Sequence, residues 1–219
     1  MLDIYIFKKF IKHANIAHQQ LCVWFSANNE FAKHQVHWNK LDPEIGPFGL
    51  ENFTRRHECK YKNFWNIVVP TLQHGWILST AKLFDPAYHP RDKNKTKSRA
   101  SLDLILIMLQ DQNLSSIIRT QLNSHEPVLK SLRDHRDYAE AHNDANFVPT
   151  RIEAGVENLF QWLEDTIASI KVSESHLNKC GIINIAYNEK LSQCGVDEIF
   201  ENLLLSEIQY PIDSHQKDR

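Results

Sequence analysis

Glycine and proline are scarce in this chain, six and eight of 219 residues, so long segments carry no backbone breaker. Net charge is nearly absent as well, formally −2. Contact with nucleic acid would therefore have to come from a local patch and not from a generally basic surface. The four cysteines (Cys22, Cys59, Cys180, Cys194) are far apart and form no C-x-x-C pair, which favours reduced thiols over a disulfide framework. The opening M-L-D-I-Y-I-F-K-K puts an acid inside the apolar part and bases after it, the reverse of a secretory leader. The longest apolar run, Leu104–Leu109, falls far short of a bilayer span. The expectation is a cytoplasmic protein with no membrane partner. What is abundant is histidine: twelve residues bring proton-transfer capacity within reach of neutral pH.

The apolar periodicity is helical almost throughout. Between Leu2 and Leu41, Ile4, Phe7, Ile11, Ala14, His18, Leu21 and Phe25 recur at steps of three and four, which predicts one long helix with a break near Asn28-Asn29 as the alternative. Asp42–Gly49 is the clearest loop, with two prolines and two glycines. Tyr61, Trp65, Val68, Leu72, Trp76, Ser79 and Leu83 resume helical spacing. Pro70 inside that pattern predicts a kink or a break into two helices. Ser79 is read as a buried, back-bonded hydroxyl and not as a nucleophile. Ser101 is placed to cap a helix over Leu102–Gln110, with Asp103 in its first turn. A further helical piece covers Leu114–Leu122, and Pro127 opens the next helix. Arg151–Val172 reads as another long helix. Ile182–Tyr187 reads as a short strand or buried turn, and Glu198–Ile208 as a last helix. The expected class is all-α: an irregular bundle of five to seven helices in a single domain, 1–219, with a less regular C-terminal extension from about residue 174.

Three features bear on chemistry. His34 and His37, at i and i+3, have a spacing that metal ligands use, and His57 with Cys59 adds to a metalloprotein alternative. No acidic or cysteine partner lies near the first pair, so it is read as solvated surface and no metal site is expected. The run R-D-K-N-K-T-K-S-R (Arg91–Arg99) is the one dense positive stretch. As a plain solvated loop it needs no function; as a phosphate-tracking patch it offers Lys93, Lys95 and Lys97 as substrate-binding residues. The third feature is R-D-H-R-D-Y-A-E-A-H-N-D (Arg133–Asp144), in which His142 follows Arg136 by six positions. Arg119 and His125 share that separation, but Pro127 and a turn-like Asn123-Ser124-His125 mark them as accidental. On an α-helix the six-residue step sets Arg136 and His142 about 120° apart and about 9 Å along the axis, both bordering an apolar stripe through Leu129, Leu132 and Ala139. Pairs such as Arg133–Asp137 and Arg136–Glu140 at i,i+4 would stabilise an exposed helix without any function. Functionally, a histidine titrating near neutrality can move the proton of a ribose 2′-OH, and an arginine can brace a phosphate bidentately. One histidine per chain serves two proton transfers poorly, and a 120° spread suits one intramolecular site poorly. A symmetric dimer would answer both.

The segment R-D-Y-A-E-A-H (Arg136–His142) resembles the signature of the HEPN superfamily. Its ending A-H-N-D, preceded by L-R-D-H (Leu132–His135), looks most like the abortive-infection, AbiU-like branch. Ile77–Asp85 (I-L-S-T-A-K-L-F-D) and Ser101–Leu106 (S-L-D-L-I-L) after a basic loop add to the likeness, which spans about 52–146; Lys82 stands where that pattern carries arginine. The resemblance implies a helical homodimer with the arginine–histidine helices facing one cleft. It also implies metal-independent endoribonuclease activity in toxin–antitoxin or phage-defence systems, with RNA as substrate, no cofactor and an antitoxin protein as a further partner. Carried over, Arg136 would bind phosphate, His142 would be catalytic, and Asp137 would orient one of them; Arg133 and Asn143 flank them as substrate-binding residues. Many HEPN proteins keep the fold as a non-catalytic interaction module that binds RNA or protein, which is the alternative function. Asp144 replaces the tyrosine that some such toxins carry two residues after the histidine.

Overall fold

The computed structural model of the chain describes residues 2–40, 63–89, 91–92, 94–95, 97–140, 153–186, 188–193 and 195–196, with backbone alone for 30–40, 63–67, 69, 138–140 and 153–154. Among these the architecture is all-α, an irregular bundle without strands. The helices are α1 (Ile4–Lys40), α2 (Asn63–Leu83), α3 (Leu102–Met108), α4 (Gln112–Leu122), α5 (Glu126–Asp134) and α6 (Glu153–Ser173). A 3-10 turn (Asn123–His125) joins α4 to α5, and α5 runs on into a π-helical segment (His135–Glu140). Residues 185–186, 188–193 and 195–196 are helical too. No helix among the described residues is long and apolar enough to cross a membrane. The expected loop Asp42–Gly49 and helix Glu198–Ile208 lie outside the described residues.

Helix α1 runs 37 residues, about 55 Å at 1.5 Å per residue, without a break at Asn28-Asn29. Its buried stripe is the expected one: Phe7, Ile11, Ala14, His18 and Leu21, with Phe10, Ala17 and Trp24 beside them. Ile4 falls outside it, 41 % exposed. The principal pairing is α1 against α2, centred on Trp24 and Trp76, whose ring centroids are 5.6 Å apart. Helix α6 crosses the same core with Val156, Leu159, Leu163, Ile167 and Ile170 buried.

Several local expectations are settled or corrected. Pro70 does not divide α2, which continues through it to Leu83. Proline removes one backbone bond, and packing against α1 outweighs that loss. Ser101 occupies the N-cap position of α3 with extended dihedrals, but its buried hydroxyl makes no cap bond. Helix α3 also stops at Met108 and not at Gln110. Within the expected Ile182–Tyr187 segment, residues 182–184 are irregular and 185–186 helical, with Ile183 buried and Ile182 exposed, so the strand alternative does not hold for the described residues. Ser79 is half-buried, and its neighbour Thr80 takes the fully buried position.

The chain after α6 docks along α1 through amide side chains. Asn15 Nδ2 donates to the Ile182 carbonyl at 2.9 Å, and Asn15 Oδ1 accepts from Asn184 N at 3.3 Å. Gln19 Nε2 donates to Asn188 Oδ1 at 3.2 Å. Buried Asn188 in turn lies 3.3 Å from His18 Nδ1. At buried Asn188 and His18 the contact satisfies polar groups that burial would otherwise leave costly.

Candidate functional site

The focal stretch begins on α5, which opens at Glu126 with Pro127 in its first turn, where its missing N–H is harmless. Leu129 and Leu132 are buried, and the stripe continues to His135, 4 % exposed. From His135 to Glu140 the backbone is π-helical. Its bonds run from i to i+5, so the chain is wider there than an α-helix, and the 100°-per-residue step behind the 120° expectation does not apply across Arg136–Glu140.

Arg136 is half-buried, its side chain 22 % exposed, and it is gripped from two sides. Its Nη1 donates to Asp85 Oδ1 at 2.6 Å. Its Nε donates to Asp137 Oδ1 at 2.7 Å and its Nη2 to Asp137 Oδ2 at 3.3 Å. The fork that could hold a phosphate thus holds the Asp137 carboxylate, which is half-exposed. Of the five guanidinium N–H groups, one on each Nη is not engaged by these bonds. Hydrogen bonding to Asp137 first, and to Asp85 after it, raises the Arg136 pKa against the opposing effect of burial. The guanidinium is therefore permanently charged.

Asp85 is the residue that the sequence reading missed. It lies just past the end of α2, with its side chain 11 % exposed, and its second oxygen accepts from Arg99 Nη1 at 2.9 Å. Two aspartates and two arginines thereby form a network without net charge. No local spacing could have shown it, since Asp85 and Arg136 are 51 residues apart. In the sequence it stood only as the last residue of the Ile77–Asp85 segment.

Arg99 closes the basic run, whose described residues are tied to one another and to the bundle. Tyr88 and Ser98 form an antiparallel bridge, and Arg99 N donates to the Ala87 carbonyl at 2.8 Å. Asp92 accepts from Lys97 N at 2.9 Å, and Lys95, with φ +51°, sets its ammonium 5.7 Å from the Tyr88 ring centroid. Arg91, Lys95 and Lys97 are exposed. Lys93, His142 and Asn143 lie outside the described residues. Arg133 donates to the Leu129 carbonyl at 3.1 Å and to Glu126 at 2.8 Å, in place of the i,i+4 pairing with Asp137. Of the accidental pair, Arg119 is tied to Asp103 at 3.0 Å, and His125 packs 5.1 Å from Trp162.

A second histidine site is buried. The His18 ring lies 3.6 Å from Cys22 Sγ and 4.8 Å from the Phe160 ring. Burial pulls the His18 pKa down to about 4 and pushes the Cys22 thiol up to about 12. Both are neutral at physiological pH, so this is not an activated thiolate–imidazolium pair. Among the described residues no cluster of three or more histidine, cysteine or acidic side chains is set to hold a metal ion. The side chains of His34, His37, His57 and Cys59 lie outside them. Comparison of the chain with family models, curated proteins and solved structures gives no match.

Proposed function

We infer that the chain is a metal-independent endoribonuclease of the HEPN type, working as a cytoplasmic homodimer in a bacterial toxin–antitoxin or abortive-infection system. The observation that supports the reading most is that Arg136 and the basic loop, distant in sequence, belong to one network through Asp85. A permanently charged, half-buried arginine, linked through Asp85 and Arg99 to a loop that exposes Arg91, Lys95 and Lys97, is a fitting receptor for a polyanion. The π-helical turn that carries Arg136 adds support, because such turns are frequent at functional sites.

In this mechanism His142 takes the proton of a ribose 2′-OH as its oxygen bonds to phosphorus. The bond from phosphorus to the 5′-oxygen breaks, and the equivalent histidine of a second copy gives the departing oxygen a proton. The products are a 2′,3′-cyclic phosphate and a 5′-OH. Arg136 offsets the charge that builds on the phosphoryl oxygens. Asp137 holds the guanidinium plane until the phosphate replaces it, and Arg133, Asn143, Lys93, Lys95 and Lys97 contribute to RNA binding.

One observation favours a second reading, a non-catalytic helical module that binds RNA or an antitoxin-like protein. Arg136 already has its charge balanced by two carboxylates, as in an ordinary structural ion pair. Inducible expression in bacteria separates the two. The ribonuclease reading expects growth arrest with RNA fragmentation from wild type and neither from His142→Ala. Equal growth and intact RNA in both strains would favour the binding module.

A further inference from the structure

We propose that Asp85 is a positioning residue that sets the Arg136 guanidinium and, through Arg99, couples the basic loop to it; the proposal rests on Arg136 being the phosphate-binding arginine. Each Asp85 oxygen has its own arginine: Oδ1 takes Arg136 Nη1 at 2.6 Å and Oδ2 takes Arg99 Nη1 at 2.9 Å. The two partners come from separate parts of the chain, one on the basic loop and one on the π-helical segment. Burial decides the division of labour. Asp85, 11 % exposed, is shielded from solvent and held on the bundle side, whereas Asp137 is half-exposed. An incoming phosphate can displace the Asp137 carboxylate from Nε and Nη2 while Asp85 keeps its grip on Nη1. The arginine then meets the phosphate already oriented, which spares the ordering cost at binding.

Asp85 is itself anchored on both sides in sequence. Its N–H donates to the Lys82 carbonyl at 3.5 Å, at the end of α2. Two residues on, Ala87 N donates to Asp103 Oδ2 at 2.9 Å, which ties the loop to α3. Arg99 N returns to the Ala87 carbonyl at 2.8 Å. The exposed cations between Tyr88 and Ser98 are thus carried on a frame that shares one carboxylate with Arg136. RNA held by the loop and phosphate held by Arg136 would be kept in fixed relation.

The test compares the full-length wild type with Asp85→Asn, an isosteric change that removes the charge and puts an amide donor against a guanidinium. Asp85→Asn/Arg99→Gln restores the charge balance and serves if the single variant loses helix content. The first readout is rotation of the Arg136 guanidinium, followed through its Nη–H signals in nitrogen-15 spectra. Nη1 and Nη2 are held by different carboxylates in the wild type, so rotation is slow. Loss of one charge-assisted bond should speed it about tenfold. The second readout is cleavage of a single-stranded RNA oligonucleotide in EDTA. There, a misplaced Arg136 should lower kcat about a hundredfold with the pH profile unmoved, because the proton-transfer group is untouched. Unchanged guanidinium rotation in a folded variant overturns the positioning role. If the wild type cuts no RNA, the ribonuclease reading falls instead, and the rotation rates alone judge Asp85.

Discussion

Two side chains of opposite character show what burial does to charge in this protein. Arg136 keeps its charge because Asp137 and Asp85 both face it, whereas His18, enclosed by Phe160, Cys22 and Asn188, gives its charge up. Since the folded His18 pKa is about 4 against an ordinary 6.5, the unfolded chain binds the proton first as pH falls. Stability attributable to this group is therefore complete above about pH 6.5 and declines through the interval down to about pH 4. Between pH 7 and pH 5 the expected loss is about 2 kcal/mol, read as a lower urea midpoint. His18→Gln should remove most of that decline, and an unchanged pH slope would disprove the assignment. At the other site, Asp85 illustrates a residue whose role depends wholly on tertiary placement. Arg136 and Asp137 were visible as neighbours in the sequence, but Asp85, the carboxylate that Arg136 shares with Arg99 and 51 positions from Arg136, left no periodic trace.

At the scale of elements, the contact of the first turns of α5 and α6 is a close approach. Gly155 adopts φ +99°, and a Cβ placed there would lie 2.8 Å from Val128 Cγ2. Gly155→Ala should lose about 1–3 kcal/mol of stability, from backbone strain and the clash together. Adding Val128→Ala should relieve only the clash, so the double variant stays below Val128→Ala alone in a urea titration. Helix α1 was legible in the sequence because apolar or half-polar positions at steps of three and four fix one face, of which Phe7, Ile11, Ala14, His18 and Leu21 are buried. Helix α6 likewise buries Val156, Leu159, Leu163, Ile167 and Ile170. Pro127 marked the start of α5. Illegible were the features in which packing overrides local preference: the continuation of α2 through Pro70, the unused Ser101 cap and the switch to π geometry at His135. The candidate arginine was legible in position and residue type. Its partners Asp85 and, through it, Arg99 were not, because helix periodicity says nothing about contacts across the bundle.

Across the whole molecule, one helix gathers distant parts of the chain: α1 packs against α2 and accepts the chain beyond residue 181 through Asn15, His18 and Gln19. Asn15→Ala removes bonds to Ile182, Asn184 and Asn188 at once. Amide hydrogens of residues 182–196 should then exchange about tenfold faster while those of α6 stay protected; uniform acceleration of both would mean that this docking is not a separate unit. The homodimer is a distinct expectation, checked by sedimentation at micromolar concentration, where a species of twice the chain mass is predicted and a monomer would remove the shared-cleft mechanism. The central claim is that Arg136 and His142 cleave RNA without metal. The most direct measurement is the rate and end chemistry of RNA cut in EDTA by wild type, Arg136→Ala and His142→Ala. The account predicts 2′,3′-cyclic phosphate and 5′-OH ends from the wild type, with each variant slower by about a hundredfold or more. Cleavage at the wild-type rate by either alanine variant would contradict it.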